Sequence, residues 1–129
     1  MPTCFLIEDD IDDQEIFATA LQKVDENIEL RSASNGAEAL QRLQENLSFV
    51  PEFIFLDINM PKMNGLQCLP EIKKLEHLKN ARVIMYSTSS DEDVKRISKQ
   101  LGADEFLVKP PKLGLLVNDL SRILEKGQL

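Results

Sequence analysis

Cysteine is nearly absent. Cys4 and Cys68 are the only two in 129 residues, too few for a disulfide framework, so the chain must be held by its core. One lies in an apolar run and the other follows a loop, which suits reduced thiols in a cytoplasmic protein, and neither is assigned a catalytic role. Histidine is scarcer still: His77 stands alone among charged residues, where a solvent-facing role outweighs phosphotransfer. No apolar run approaches the roughly 18 residues that suggest a membrane span. No basic start followed by an apolar stretch and a small-residue cleavage site marks an export leader. Positive charge is short as well, with 15 Lys and Arg against 22 Asp and Glu and a net charge of -7. Binding a nucleic-acid backbone directly needs clustered cations, so that class is disfavoured. Repeats and linker-like stretches are also missing. Residues 1–129 read as a single domain without an output domain, large enough to bury roughly two-thirds of its unfolded surface.

What the chain does contain is a regular alternation. Cys4 to Ile7 is a short apolar run, a first buried strand. Asp9 or Asp10 then caps a helix whose apolar face is Ile16, Phe17, Ala20, Leu21 and Val24. Ile28 to Ala33 alternates like a half-exposed edge strand, and Ser34-Asn35-Gly36 turns into a helix with Ala37, Leu40, Leu43 and Leu47 on one stripe, ending before Pro51. Phe53 to Leu56 suits a strand buried on both faces, and it ends on Asp57. The loop Pro61 to Gly65 follows, with Asn64-Gly65 placed for positive φ. A third helix turns Leu66, Leu69, Ile72 and Leu75 inward and tolerates Pro70 in its first turn. Val83 to Tyr86 is a fourth strand, with Tyr86 expected against the fourth helix. That helix opens at Asp91, packs Val94, Ile97 and Leu101, and stops at Gly102. Phe106 to Val108 is a fifth strand, Lys109-Pro110-Pro111 turns the chain, and Leu115, Leu116, Leu120, Ile123 and Leu124 line the last helix. Strand and helix alternate five times, which predicts an α/β fold: a five-stranded parallel sheet, doubly wound, with right-handed crossovers and helices on both faces.

In such a sheet every strand's carboxyl end lies on one rim, where ligands bind. The residues just past the apolar runs are Glu8-Asp9-Asp10, Asp57, Ser87-Thr88 and Lys109. Each alone has an ordinary explanation: acids cap a helix or a loop, hydroxyls fill a polar turn, a lysine faces water. Their coincidence at one rim points to chemistry. Converging carboxylates suit a hard cation such as Mg²⁺, which is typically held by one or two carboxylates plus a substrate phosphate. Asp9 and Asp57 can supply the carboxylates and the Asn59 backbone carbonyl a third oxygen. A lysine and a hydroxyl facing the same point meet the needs of a phosphoryl group. A carboxylate can accept that group as an acyl phosphate once its charge is neutralised, so the residues read as a magnesium-assisted phosphoacceptor centred on Asp57.

Phe5-Leu6-Ile7-Glu8-Asp9-Asp10, Phe55-Leu56-Asp57-Ile58-Asn59-Met60-Pro61, Asn64-Gly65, Met85-Tyr86-Ser87, Gly102-Ala103 and Lys109-Pro110 together resemble the receiver domain of two-component response regulators, over essentially the whole chain. The resemblance implies a flavodoxin-like strand order 2-1-3-4-5. It implies that Asp57 accepts a phosphoryl group from a histidine kinase. Glu8 and Asp9 become the acidic pair, with Asp9 a direct metal ligand and Glu8 acting mainly through water. The resemblance further implies that Ser87 and Lys109 contact the phosphoryl group, that the Lys109–Pro110 bond is cis, and that Phe106 is a switch aromatic moving inward with Ser87. Asn59 and Ser89 hold positions that tune the lifetime of the phosphorylated state, and Pro111 departs from the usual apolar residue there. The implied partners are a sensor histidine kinase or phosphotransfer protein, and a downstream protein read by the face of the fourth helix, fifth strand and fifth helix. The resemblance implies a monomer or weak dimer without membrane or nucleic-acid contact, a signalling switch and not an enzyme. It looks most like single-domain receivers paired with separate or phytochrome-type kinases. Two other readings are a phosphorylation-independent binding module, which would lack the acceptor, acids or lysine, and a magnesium-dependent phosphohydrolase. The latter places Asp-x-Asp after its first strand, whereas this chain has Asp57-Ile58-Asn59 after its third.

Overall fold

Five short runs, four of them rich in apolar residues and the polar β2 at an edge, pair as parallel strands in the computed structural model, which describes residues 2–127. The ends of the 1–129 unit, Met1, Gln128 and Leu129, lie outside the described residues. In chain order the elements are β1 (Thr3–Ile7), α1 (Ile11–Val24), β2 (Glu29–Ala33), α2 (Gly36–Glu45), β3 (Phe53–Asp57), α3 (Gly65–Lys73), a 3-10 turn (Glu76–Leu78), β4 (Arg82–Ser87), α4 (Glu92–Gln100), β5 (Glu105–Val108) and α5 (Leu113–Gly127). The strand order is β2-β1-β3-β4-β5, with every pair parallel. This is the doubly wound, flavodoxin-like order that the family resemblance implies.

Successive side chains in a strand point to opposite faces, so the sheet carries two cores. Phe5, Ile7, Ile54, Leu56, Val83 and Met85 face α2 and α3 with Leu40, Leu43, Leu69 and Ile72. Leu6, Phe53, Phe55, Ile84 and Tyr86 face α1 and α5 with Phe17, Leu21, Leu116, Leu120 and Ile123. Phe17 meets Phe55 edge to face at 4.9 Å and Tyr86 at 5.7 Å. Each such aromatic stabilises the fold by roughly 1.5–3 kcal/mol through burial alone. Tyr86 therefore packs on the α1 side and not against α4, because β4 alternates and Tyr86 shares a face with Ile84.

Several helix faces differ from expectation by one position. On α1 the buried set is Phe17, Ala20 and Leu21, and Ile16 is exposed, since it lies a full step off that stripe. On α2 the buried set is Gly36, Ala39, Leu40 and Leu43; Ala37 faces out, and Leu47 lies beyond a helix that already ends at Glu45. Ile97 is exposed on α4, where Val94 and Leu101 pack inward and the buried Ser98 returns its hydroxyl to the Val94 carbonyl at 2.8 Å. Leu115 is exposed beside the buried Leu116. β2 is an edge strand, as expected, yet it exposes Arg31 and Ser32 together rather than alternating. Pro70 sits past the first turn of α3, which begins at Gly65, so the Leu66 carbonyl loses its helical donor in a helix of only nine residues. Positive φ falls on Lys62 (68°), while Asn64, at φ -76°, is the N-cap of α3 in a capping box with Gln67. Gly102, at φ 107°, stops α4 as expected. The Lys109–Pro110 bond is trans, as are all peptide bonds among the described residues; the two forms at X–Pro differ by only about 0.5–1 kcal/mol.

Candidate functional site

Four strands bring the site together at the carboxyl rim. Glu8 follows β1 and is fixed by its backbone: its N–H donates to the Ala33 carbonyl at 3.0 Å, and its carbonyl accepts from Gln14 Nε2 at 2.6 Å. Asp9 is exposed, and Asp10 is the N-cap of α1, its Oδ1 accepting from the Asp13 N–H at 3.0 Å. Asp57 ends β3 and is buried, 4% exposed, opposite Tyr86 in the sheet register. Ser87 ends β4 and is fully buried; its carbonyl accepts from the Lys109 N–H at 2.7 Å and its Oγ from the Ser89 N–H at 3.1 Å. Lys109 leaves β5, and its Nζ donates to Glu8 Oε1 at 2.6 Å and Asp13 Oδ2 at 2.8 Å. The same ammonium stands 3.7 Å from Asp57 Oδ1 and 5.1 Å from the Tyr86 ring centroid.

The sequence-derived residues divide by place. Glu8, Asp9, Asp57 and Lys109 converge. Ser87 adjoins them through its backbone bond to Lys109. Asn59 is exposed in the loop after β3, and Ser89 uses its hydroxyl to accept from the Asp91 N–H at 3.1 Å. Phe106 is half-buried on β5 beside Met85, with Lys95 Nζ 5.9 Å from its ring centroid. Thr88 is exposed. His77 lies before β4, at the opposite end of that strand from Ser87, half-buried with its Nε2 lacking a partner among the described residues, so it is not simply solvent-facing. The sequence pattern gives Asp13 no role, although its place three residues after the Asp10 cap is the helix position whose side chain turns back toward the rim.

Burial sets the electrostatics. It pushes the Glu8 carboxyl up to about 7, with the Asp57 charge adding to the rise, while the Lys109 hydrogen bond and the Asp10 N–H oppose it. Burial raises Asp57 as well, against the opposing pull of Lys109 and a hydrogen bond from Glu8. Lys109 behaves the other way: burial disfavours its charge, but hydrogen bonds to Asp13 and Glu8 carry it above the ordinary lysine range. One oxygen each from Glu8, Asp9 and Asp57 lies within 4.8 Å of the others. An all-oxygen set that is protonated or repelling when alone fits a hard divalent cation such as Mg²⁺.

A pH dependence follows. Glu8 is raised from 4.5 in the unfolded chain to about 7 in the fold, so between those values the folded state binds the extra proton. Stability without metal is then expected to fall as pH rises through this window. A cation must displace that proton, so Mg²⁺ affinity should rise about tenfold per pH unit up to about pH 7 and level above it. Calorimetric titration in buffers of different ionisation enthalpy reads both the affinity and the proton released; an affinity flat from pH 5.5 to 7.5 would show that Glu8 ionises independently of the cluster.

A five-stranded doubly wound sheet whose carboxyl rim gathers an acid trio around a buried strand-end aspartate, with a lysine from the last strand, defines a receiver-type α/β protein. The chain belongs to the response regulator receiver domain family, whose model matches residues 4–121. It is 35% identical over 128 residues to the transcriptional regulatory protein CpxR homolog of Haemophilus influenzae, which is 98% of this chain and 52% of that protein. The chain thus spans about half the length of that relative. Among solved structures it is similar to the phosphorylated cyanobacterial phytochrome response regulator RcpA, with a TM-score of 0.86 and 30% identity over 96% of this chain and 91% of that one. It also resembles the response regulator protein TrrA of Thermotoga maritima in complex with Mg²⁺ and beryllium fluoride, with a TM-score of 0.79 and 28% identity over 98% and 99% of the two chains. Among the described residues, no helix is long and apolar enough to cross a membrane.

Proposed function

We propose that Asp57 is the phosphoacceptor of a two-component signalling switch. The observation that carries this reading is the buried Asp57 carboxylate at the end of β3, 3.7 Å from Lys109 Nζ and within the acid trio. Asp57 Oδ attacks the phosphorus of a kinase's or phosphotransfer protein's phosphohistidine; the O–P bond forms as the P–N bond breaks and the imidazole leaves. Glu8, Asp9, Asp57 and the Asn59 backbone carbonyl would hold Mg²⁺, with Glu8 acting mainly through water; the cation supplies charge neutralisation at the phosphoryl oxygens. Lys109 contributes the second positive charge and Ser87 a hydroxyl. Asn59 and Ser89, flanking the acceptor in the loops after β3 and β4, bear on the water that later hydrolyses the acyl phosphate. The chain acts as a switch and not as an enzyme on an external substrate.

The phosphoryl contacts draw on Ser87 and Lys109, which are joined by the 2.7 Å backbone bond between β4 and β5. Phe106 on β5, half-buried at the edge of the α4 side, is the aromatic that answers this pull, changing the α4-β5-α5 face offered to a downstream protein. A net charge of -7 supports a protein target over a nucleic acid, and two free, buried thiols support a reducing, cytoplasmic setting.

Incubation with Mg²⁺ and a small acyl phosphate, followed by intact-mass measurement, tests the reading. One added phosphoryl group, lost in Asp57→Asn, is the expected result. No adduct with any phosphodonor would favour the binding module. Sustained turnover of a phosphoester would favour the hydrolase.

A further inference from the structure

Lys109 is shared among three carboxylates, and the sharing is uneven. Glu8 and Asp13 hold its ammonium at 2.6 and 2.8 Å, while Asp57 stands at 3.7 Å. Glu8 and Asp57 belong to the oxygen cluster suited to a cation, and Asp13 does not. Once a cation draws on Glu8 and Asp57, Asp13 is the carboxylate left to hold the ammonium. It sits in the first turn of α1, its N–H fixed by the Asp10 cap, so its carboxylate comes from a rigid element across the rim from β5. An anion fixed in this way sets where Lys109 rests.

We propose that Asp13 is a positioning residue that acts through Lys109, holding the ammonium on the α1 side of Asp57 and releasing it when a phosphoryl group arrives. This rests on the phosphoacceptor reading of Asp57. A ligand shifts a two-state equilibrium only by its differential affinity for the two states. The phosphoryl group must therefore outcompete Asp13 for Lys109, and the strength of that ion pair sets how readily the activated state forms. Asp13→Asn keeps the size of the side chain and removes its charge, so Lys109 is freed toward Asp57.

Beryllium fluoride with saturating Mg²⁺ is the probe, titrated into the native chain, Asp13→Asn, Asp13→Glu and Asp12→Asn. Asp12 is exposed in the same helical turn, so its change removes the same charge without touching Lys109. Asp13→Asn is expected to bind beryllium fluoride roughly five- to tenfold more tightly than the native chain. Asp12→Asn should differ by less than about twofold, and Asp13→Glu should return to the native value. A urea-unfolding cycle without ligand gives a second readout: Asp13→Asn should lower the midpoint of the native chain but leave that of Lys109→Met nearly unchanged. A merely structural role would weaken stability and ligand binding together, whereas this one moves them in opposite directions. If the native chain binds beryllium fluoride and Asp13→Asn binds no more tightly than Asp12→Asn, this inference alone is overturned. If the native chain neither binds the probe nor gains a phosphoryl mass, the phosphoacceptor reading falls and this inference with it.

Discussion

Lys109→Met, at pH 8 without divalent cation, is expected to lose about 3–5 kcal/mol of folding free energy, read as a fall in the urea midpoint. The Lys109 side chain is 11% exposed, and the side chains of its partners Glu8 and Asp57 are 1% and 6% exposed. Removing the ammonium leaves two buried carboxylates, with Asp9 and Asp13 beside them, and no cation of the chain in their place. The cost of an uncompensated buried charge exceeds that of any apolar contact the methionine restores. The acids have one escape, which is to take up protons. Glu8 already stands near 7 with Lys109 present, and losing the lysine raises both acids further, so below about pH 6 the variant should approach native stability. The deficit then grows as pH rises, because the folded variant binds protons that the unfolded chain has released. Added Mg²⁺ binds only the folded state and should recover part of the loss. Asp57→Asn under the same conditions should match or exceed native stability, since it removes one of the carboxylates that burial disfavours. A deficit below about 1 kcal/mol for Lys109→Met at pH 8 would mean that solvent already relieves these acids.

These opposite signs show why the site, more than the packing, was legible in the sequence. Asp57, Glu8, Asp9, Ser87 and Lys109 each stand at the end of an apolar run, and a parallel sheet forces such ends to one rim whatever the details of the helices. The strand runs needed only apolar continuity, so their bounds moved by one residue or so. Helix faces are less forgiving. Ile16 and Leu115 adjoin truly buried residues, and hydrophobicity alone does not tell Ile16 from Phe17 when the stripe is narrow. Ala37 and Ala39 differ only in the phase set by the Asn35 cap. Asp13 was invisible as a partner of Lys109 because the pair is separated by 96 positions, and nothing in a local pattern announces a long-range ion pair. Proximity in the chain points Tyr86 toward α4, but strand alternation, set by the pleat, outweighs it and places the ring on the α1 side.

Gly65 is the residue whose small size the site most depends on, and Gly65→Ala is expected to slow phosphorylation of Asp57 on the order of 100-fold, read from the rise of the phosphorylated mass with time. Asn64-Gly65 suggests a turn glycine chosen for positive φ, but Gly65 lies inside α3 and needs no left-handed backbone. Its constraint is proximity. A Cβ there would press into the Asp57 backbone oxygen and come within 2.9 Å of Ile58 Cα, while the Gly65 N–H donates to the Ile58 carbonyl at 2.9 Å. All these contacts are backbone, so no side chain can swing aside. Either the start of α3 retreats or the end of β3 shifts, by about 1 Å, the scale at which reacting groups lose alignment. Folding should weaken by about 1–3 kcal/mol through overpacking. Gly114, in the first turn of α5, supplies the contrast, because a Cβ there meets nothing within 4 Å. Gly114→Ala should leave phosphorylation unchanged and raise stability by up to about 1 kcal/mol, since alanine has less backbone freedom to lose on entering a helix. Phosphorylation of Gly65→Ala at the native rate would mean that the loop between β3 and α3 yields without moving Asp57, and that the acceptor is held by its strand alone.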